Sequence, residues 1–181
     1  MEKAVADRLG REAWIEAGLA LLAEQGVAAV GVEPLAVRLG VTKGSFYWHF
    51  RNRADLLSAL RQEWELRSTE AFIARVDQVG GAPAERLRAL LLLTAEAPKP
   101  LERAVRAWAA LDPETARRVA AVDARRTAFV AGLLGEIGHR PDAAAALARL
   151  VVCFVVGETM RGLCAEIDHR EIYARLLTRP D

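Results

Sequence analysis

The chain has 181 residues, of which 52% are hydrophobic and 27% are charged, so it can bury a sizeable core and is not a disordered segment. Its formal net charge of +1 neither indicates nor excludes a nucleic-acid partner, because the distribution of charge matters more than the sum. The sequence lacks the pattern of a secretion signal. Its most apolar stretch, residues 147–157, is interrupted by Arg149 and is short for a bilayer. We therefore expect a cytoplasmic protein with no membrane segment.

The first predicted helix follows a polar lead-in over residues 1–10. Trp14, Ile15, Leu19 and Leu22 recur at helical spacing, and Gly26 supplies a stop. An apolar face of this kind needs a partner, so we expect the helix to pack on the segment that follows.

Residues 34–53 predict two short helices joined by a tight turn, and this stretch contains no acidic residue. Pro34 suits a first helical turn, and Gly40 suits the left-handed conformation that ends a helix. The Thr42 hydroxyl is expected to cap the second helix by accepting from the N–H of Gly44 or Ser45. The result is a three-helix unit containing a helix-turn-helix. Its predicted core is Ile15, Leu19, Leu22, Leu35, Leu39, Phe46 and Phe50.

The start of the second short helix is crowded with hydrogen-bond donors and flat aromatic groups, a surface suited to a nucleic-acid groove. The run Leu-Gly-Val-Thr-Lys-Gly-Ser-Phe-Tyr-Trp-His-Phe over residues 39–50 is followed by Asn52-Arg53 and Leu56-Leu57. These residues resemble the tetracycline-repressor (TetR) family of transcription regulators over roughly residues 11–60. The alternative is that Phe46 and Phe50 are core and that the remainder is an ordinary solvated face.

The resemblance implies a double-stranded DNA operator as partner. The residues expected to bind it are Thr42, Lys43, Gly44, Ser45, Tyr47, Trp48, His49 and Arg53. Tyr47, His49 and Arg53 are expected on phosphates, whereas Lys43 and Ser45 are expected at base edges. The family usually carries Ser or Thr as the cap before the first helix of the pair, but this chain has Gly31-Val32-Glu33. Glu33 is therefore not expected to contact a phosphate.

Beyond the helix-turn-helix the sequence predicts helices throughout, so the fold class is all-α with about nine helices. Asn52 can cap a long helix over 53–79, which ends at Gly80-Gly81, and further helices are expected near 84–96, 101–110, 113–137, 141–165 and 169–178. We divide the chain into a DNA-binding domain, 1–52, and a larger helical ligand-binding and dimerisation domain, 53–181. The helix over 53–79 would connect the two domains.

The last long helix pair is the most apolar part of the chain. Two such pairs from two chains would form an intermolecular four-helix bundle, as the resemblance also implies. The residues expected at this homodimer interface are Phe129, Leu133, Leu147, Leu150, Val151 and Phe154. The alternative is that they fill the core of a single chain.

A cavity for a small hydrophobic effector is implied by the resemblance alone. Its candidate residues are Trp64, Phe72, Arg106, Trp108, Cys153 and Met160, with Glu158 as a second polar anchor; core packing is the alternative for each of them. Cys153 and Cys164 are interpreted as buried thiols, since they lack the spacing of a metal site or of a disulfide within one helix.

Catalysis is not expected, because no nucleophile, base and orienting group stand in an evident relation and no phosphate-binding glycine loop occurs. We expect no cofactor and no metal. The sequence thus predicts a dimeric, ligand-responsive transcription regulator, a repressor by family habit, that binds a pseudo-palindromic operator. The alternative is a helical dimer that acts as a protein-interaction module, or as a constitutive DNA-binding module without an inducer.

Overall fold

The computed structural model describes residues 10–96 and 100–161, and within these ranges all regular structure is helical. The elements are α1 (Arg11–Gln25), a 3₁₀ turn (Val27–Ala29), α2 (Val32–Leu39), α3 (Lys43–Tyr47), α4 (Arg53–Glu65), a π-helical turn (Leu66–Glu70), α5 (Ala71–Val79), α6 (Pro83–Glu96), α7 (Pro100–Ala109), α8 (Pro113–Ile137) and α9 (Pro141–Arg161). The predicted all-α class is confirmed. The predicted helix 169–178 and the end of the helix 141–165 lie outside the described residues.

The chain divides into two compact units. Unit 1 combines residues 1–66 with 100–118, and unit 2 combines residues 67–99 with 119–181. Helix α4, α7 and the first residues of α8 therefore belong to the same unit as α2 and α3. The functional boundary between residues 52 and 53 stays a prediction.

The core of unit 1 forms around α1, which packs against α2, α4 and α7. Six of the seven predicted core residues are buried; Leu39, in the last turn of α2, is only partly buried. Trp14 lies at the centre and is fully buried, although it was not in the predicted core. The Cβ of a residue at Gly18 would meet the Leu60 side chain at 2.9 Å, so glycine permits the close approach of α1 to α4.

Polar contacts attach α7 and the start of α8 to α4. Trp64 Nε1 donates to Glu102 Oε2 at 3.1 Å, and Arg106 Nε donates to the other oxygen of the same carboxylate at 2.9 Å. The Arg61 guanidinium lies 5.0 Å from the centroid of the Trp108 ring. Because Asp112 caps α8 through the backbone N–H of Thr115, the predicted helix start at Asp112-Pro113 is confirmed.

Unit 2 has its own apolar core, built from α5, α6, α8 and α9. Its buried members are Val76, Leu87, Leu90, Leu91, Val130, Leu133, Leu134, Ala144, Ala148 and Val151. Phe72, Phe129, Leu147 and Phe154 pack against this core and stay partly exposed. Cys153 is exposed, so the prediction of a buried thiol is wrong for it. Cys164 lies outside the described residues.

One expectation about the long helices needs correction. The segment 53–79 is helical over its whole length, as predicted, but Leu66–Glu70 is π-helical rather than α-helical. Helix α9 has 21 residues and is long and apolar enough to cross a membrane by length and composition only. The core helix of a soluble protein meets the same criterion.

Candidate nucleic-acid interface

A tight turn between α2 and α3 sets the geometry of the candidate interface. Gly40 has φ of +67°, the left-handed conformation that the sequence predicted for it. The N–H of Gly40 donates to the Val37 carbonyl at 3.2 Å, and the N–H of Val41 donates to the Ala36 carbonyl at 3.0 Å. This pair of bonds is a Schellman motif, which satisfies the last carbonyls of α2 and reverses the chain. Helix α2 begins at Val32, so Pro34 occupies its third position and not its first.

Aromatic packing in the core of unit 1 holds α3 in place. Phe46 is fully buried, and its ring lies 5.3 Å from each of the rings of Trp14, Tyr47 and Phe50. The contacts with Trp14 and Tyr47 are edge-to-face, a favoured geometry for aromatic pairs. Helix α3 has only five residues, so the buried Phe46 ring fixes its position and thereby the positions of its outward side chains. Phe46 and Phe50 are core, as the sequence indicated.

The outer face of α3 and the residues beside it carry most of the predicted DNA-binding residues. Trp48 is 87% exposed and Tyr47 is 63% exposed, which is unusual for large aromatic groups in a folded domain. Thr42, Lys43 and Gly44 are also exposed, whereas Ser45 and His49 are half-buried. The structure thus exposes five of the predicted DNA-binding residues, which are Thr42, Lys43, Gly44, Tyr47 and Trp48.

Two details of this surface differ from the expectation or refine it. The Thr42 hydroxyl makes no capping bond; the Thr42 backbone carbonyl accepts from the N–H of Ser45 at 3.1 Å instead. The Thr42 hydroxyl is therefore available to a ligand. At Gly44 an added Cβ would meet only the Thr42 hydroxyl oxygen, at 3.7 Å, so the fold itself does not require glycine there.

Arg53 is engaged inside the unit. Its Nε donates to the Val30 carbonyl at 2.5 Å, and one terminal nitrogen donates to the Val27 carbonyl at 2.6 Å. These bonds tie the start of α4 to the segment between α1 and α2. Since a guanidinium has five N–H groups, a phosphate contact remains open to Arg53, but the residue also has a structural role that the sequence did not reveal.

The fold brings carboxylates to a stretch whose own sequence contains none. Lys43 Nζ lies 2.9 Å from Glu33 Oε1, Arg38 makes two bonds of 2.7 Å to Glu24, and Arg51 Nε lies 3.5 Å from Asp55 Oδ2. The bonds from Arg38 lower the pKa of the Glu24 carboxyl. The backbone N–H of Arg51 does the same for the pKa of Asp55, which also receives the charge of Arg51. No local pattern in the sequence predicted these pairings, although the acid at Glu33 was unexpected there.

The residues proposed for an effector site fall into both units. Trp64, Arg106 and Trp108 are in unit 1, where both tryptophans are buried and Trp64 is bonded to Glu102. Phe72, Cys153, Glu158 and Met160 are in unit 2. Phe72 is partly buried, and Cys153 and Met160 are exposed. Glu158 is buried, and its Oε2 has no hydrogen-bond partner among the described residues.

The residues proposed for a dimer interface also differ in exposure. Leu133 and Val151 are buried inside unit 2 and present little surface to a second chain. Leu150 is 63% exposed, while Phe129, Leu147 and Phe154 are partly exposed at the edge of the core. The surface open to a partner is therefore the outer face of α8 and α9, on which Leu150 is more exposed than Met160, at 63% against 48%.

Comparisons with known proteins identify regulators to which this chain is similar. Residues 15–60 match the family described as bacterial regulatory proteins, tetR family. The transcriptional regulator AcrR of Shigella flexneri is 32% identical over 98 residues, which are 51% of this chain and 43% of that protein. The class D tetracycline repressor of Escherichia coli is 43% identical over 56 residues, 31% of this chain and 26% of the repressor. The chain thus spans less than half the length of these curated relatives.

Solved structures extend the likeness to the whole chain. The regulatory protein TetR from Rhodobacter sphaeroides is 26% identical, with a TM-score of 0.72 over 92% of this chain and 95% of that one. A TetR-family regulator from Streptomyces coelicolor has a TM-score of 0.73 over 97% of this chain and 90% of its own at 19% identity, which shows the fold alone. Each of these four proteins is named as a regulator, a regulatory protein or a repressor.

Proposed function

We propose, from the premise that this chain belongs to the TetR family, that it is a cytoplasmic, dimeric transcription regulator that binds a pseudo-palindromic operator and responds to a small molecule. The observation that carries the proposal is the exposed face of α3. Tyr47 and Trp48 lie outward beside Lys43, while Phe46 anchors the same short helix in the core. An exposed aromatic and basic surface on the second helix of a helix-turn-helix suits the major groove.

Dimerisation is the second part of the proposal. The outer face of α8 carries Ala121, Ala124, Ala128, Gly132 and Gly135, all exposed, and an added Cβ at either glycine would meet nothing within 4 Å. The outer face of α9 adds the exposed Leu150. Small residues let helices approach closely, and an apolar face without a partner favours association. A two-fold dimer would also supply the two helix-turn-helix units that a palindrome requires, one from each protomer.

Ligand response is the third part, supported by polar groups buried without partners in unit 2. The Thr69 hydroxyl and the Glu158 Oε2 have no hydrogen-bond partner among the described residues. An effector that offers a donor could satisfy such groups, and it would act on the operator through the helix over 53–79, which runs from unit 1 into unit 2. Repression is the sign of regulation that family habit favours.

Selection of bound duplexes from a random DNA pool tests the proposal. The expected result is an inverted repeat whose half-sites lie about 10 base pairs or a multiple apart, centre to centre. Thermal-shift screening of hydrophobic small molecules, followed by titration of the selected duplex, tests the ligand part. A cognate ligand should weaken DNA binding about 5- to 150-fold. A pool that yields no enriched sequence would contradict the DNA-binding proposal, and ligands that stabilise the protein without releasing DNA would favour a constitutive DNA-binding module.

A further inference from the structure

The ion pair between Glu33 and Lys43 joins the first turn of α2 to the first residue of α3. The carboxylate oxygen and the ammonium nitrogen are 2.9 Å apart, and the two side chains stay 70% and 58% exposed. An ion pair this exposed contributes little to the stability of a fold, so stability alone does not account for its position at the exposed face of α3, the proposed reading surface.

We infer that this pair reads one G·C base pair, with the Lys43 ammonium on guanine and the Glu33 carboxylate on the amino group of cytosine. The inference rests on the proposed DNA-binding function and adds Glu33 to the residues that set specificity. It also assigns a role to the acid that the sequence placed at the start of α2.

The chemistry of the pair matches the major-groove edge of G·C. Guanine presents two adjacent acceptors, O6 and N7, and cytosine presents the N4 amino donor beside them. An ammonium has three N–H donors, so Lys43 can keep its bond to Glu33 while it donates to guanine. A carboxylate accepts only, and the cytosine amino group is the edge donor with which it commonly pairs.

Among the described residues, a single ion pair engages Lys43. Arg38, by comparison, donates from both of its terminal nitrogens to Glu24. Lys43 is bonded at one point and remains more than half exposed. This arrangement holds the ammonium in place without using all its donors.

The carboxylate also acts against wrong sequences. Glu33 lowers the positive potential at the reading surface, and it would face acceptors alone wherever no amino group lies opposite it. Binding to random DNA is therefore weakened, since a carboxylate near phosphates is repelled and Lys43 is partly neutralised. Discrimination between operator and random DNA is the expected consequence.

The test compares the wild type with Glu33→Ala and Glu33→Gln. Each protein is put through random-pool selection, and its affinity is then measured on the wild-type duplex and on random DNA at several salt concentrations. Glu33→Ala should lose the preference for G·C at one position of each half-site and bind the wild-type duplex roughly 5- to 100-fold more weakly. Its affinity for random DNA should rise, with a salt slope steeper by about one unit.

Glu33→Gln separates charge from readout. The amide retains an acceptor for cytosine and can also pair with adenine, so this variant should accept either base while its random-DNA affinity rises as in Glu33→Ala. Glu24→Ala is the matched control, because it removes a carboxylate that pairs with Arg38 on the outside of α1 and α2 and makes the same change in net charge. Its selected base preferences should equal those of the wild type.

The outcomes distinguish this inference from the proposed function. If Glu33→Ala selects the same sequence as the wild type, or if the affected position is A·T, the readout by Glu33 is overturned while the regulator remains. If the wild type itself enriches no sequence, the proposed function fails and the inference fails with it. Circular dichroism melting of each variant checks that the folded domain is retained.

Discussion

At the scale of single residues, Arg53 has a structural role and a proposed DNA-binding role, and one substitution would affect both. Arg53→Ala should weaken operator and random DNA alike and lower the salt slope by about one unit if the residue contacts a phosphate. It should also lower the free energy of unfolding by about 1 to 3 kcal/mol, because the carbonyls of Val27 and Val30 lose charged donors.

Arg53→Lys is the control that separates these roles. The ammonium keeps the charge but cannot donate to both carbonyls in the fork geometry of a guanidinium. We expect it to restore the salt slope measured in DNA titrations while the denaturation midpoint stays low. A lysine variant as stable as the wild type would show that the two carbonyl contacts contribute little.

We expect Asp112 to make the stability of the protein depend on pH. The hydroxyl and backbone N–H of Thr115 hold the pKa of this carboxyl below its usual range, and the charge of Arg61 adds to the effect. Since the folded pKa is lower than the unfolded pKa, the stabilisation is complete above about pH 5 and is lost as pH falls through and below about 3.9.

Asp112→Asn is the matched variant, because asparagine also caps helices but does not titrate. In urea unfolding measured from pH 7 to pH 3, the wild type should be the more stable protein at pH 7, and the difference should shrink toward acid pH. A difference that stays constant over this range would rule out Asp112 as a source of the pH dependence.

Core positions of single residues could be predicted from the sequence, whereas their long-range partners could not. Phe46 and Phe50 could be assigned to the core because their spacing and apolarity are local signals, and the structure agrees. The partners of Lys43 and Arg53 could not, since they lie 10 and 23 or more positions away and are set by how α1, α2 and α4 pack. Trp14 was recognised as part of a helix, but its place at the centre required the position of Phe46.

At the scale of elements, the π-helical turn interrupts the long helix 53–79 where the chain passes from unit 1 to unit 2. Such turns are rare and concentrate at functional sites. The sequence predicted an uninterrupted helix, because Leu66–Glu70 contains neither Gly nor Pro and has no local breaker. Tertiary packing, which buries Thr69, is the non-local feature that accompanies this turn.

Thr69→Val tests the state of this turn. Thr69 is buried, and its hydroxyl has no hydrogen-bond partner among the described residues. Replacing it with an apolar group of the same shape should leave stability unchanged or raise it by about 1 kcal/mol. Thr115→Val is the contrasting control, because the buried Thr115 hydroxyl is bonded to Asp112 at 2.5 Å and its loss should be destabilising. Equal destabilisation by both substitutions would mean that the Thr69 hydroxyl has a partner in solution.

At the scale of the whole molecule, the proposed dimer is tested by a charge on the outer face of α9. Phe154 is a poor choice, because it packs partly on the core of unit 2 and its substitution would also disturb folding. Leu150 is 63% exposed, so Leu150→Glu should leave the protomer folded and yield monomers in sedimentation velocity.

Leu111→Glu is the matched control for assembly, because Leu111 is also exposed but lies in the turn between α7 and α8 in unit 1. It should sediment as the wild type does. A wild type that is itself monomeric, or a dimer that survives Leu150→Glu, would remove α9 from the interface.

The central claim is that the two helix-turn-helix units of one dimer bind one palindromic operator. The most direct measurement is a fluorescence-anisotropy titration of the selected duplex and of a duplex that carries only one half-site, with the stoichiometry of each complex determined by sedimentation. We predict two protomers on the full site and much weaker binding to the half-site, because only the full site engages both helix-turn-helix units. One protomer per full site, or equal affinity for the two duplexes, would contradict the account.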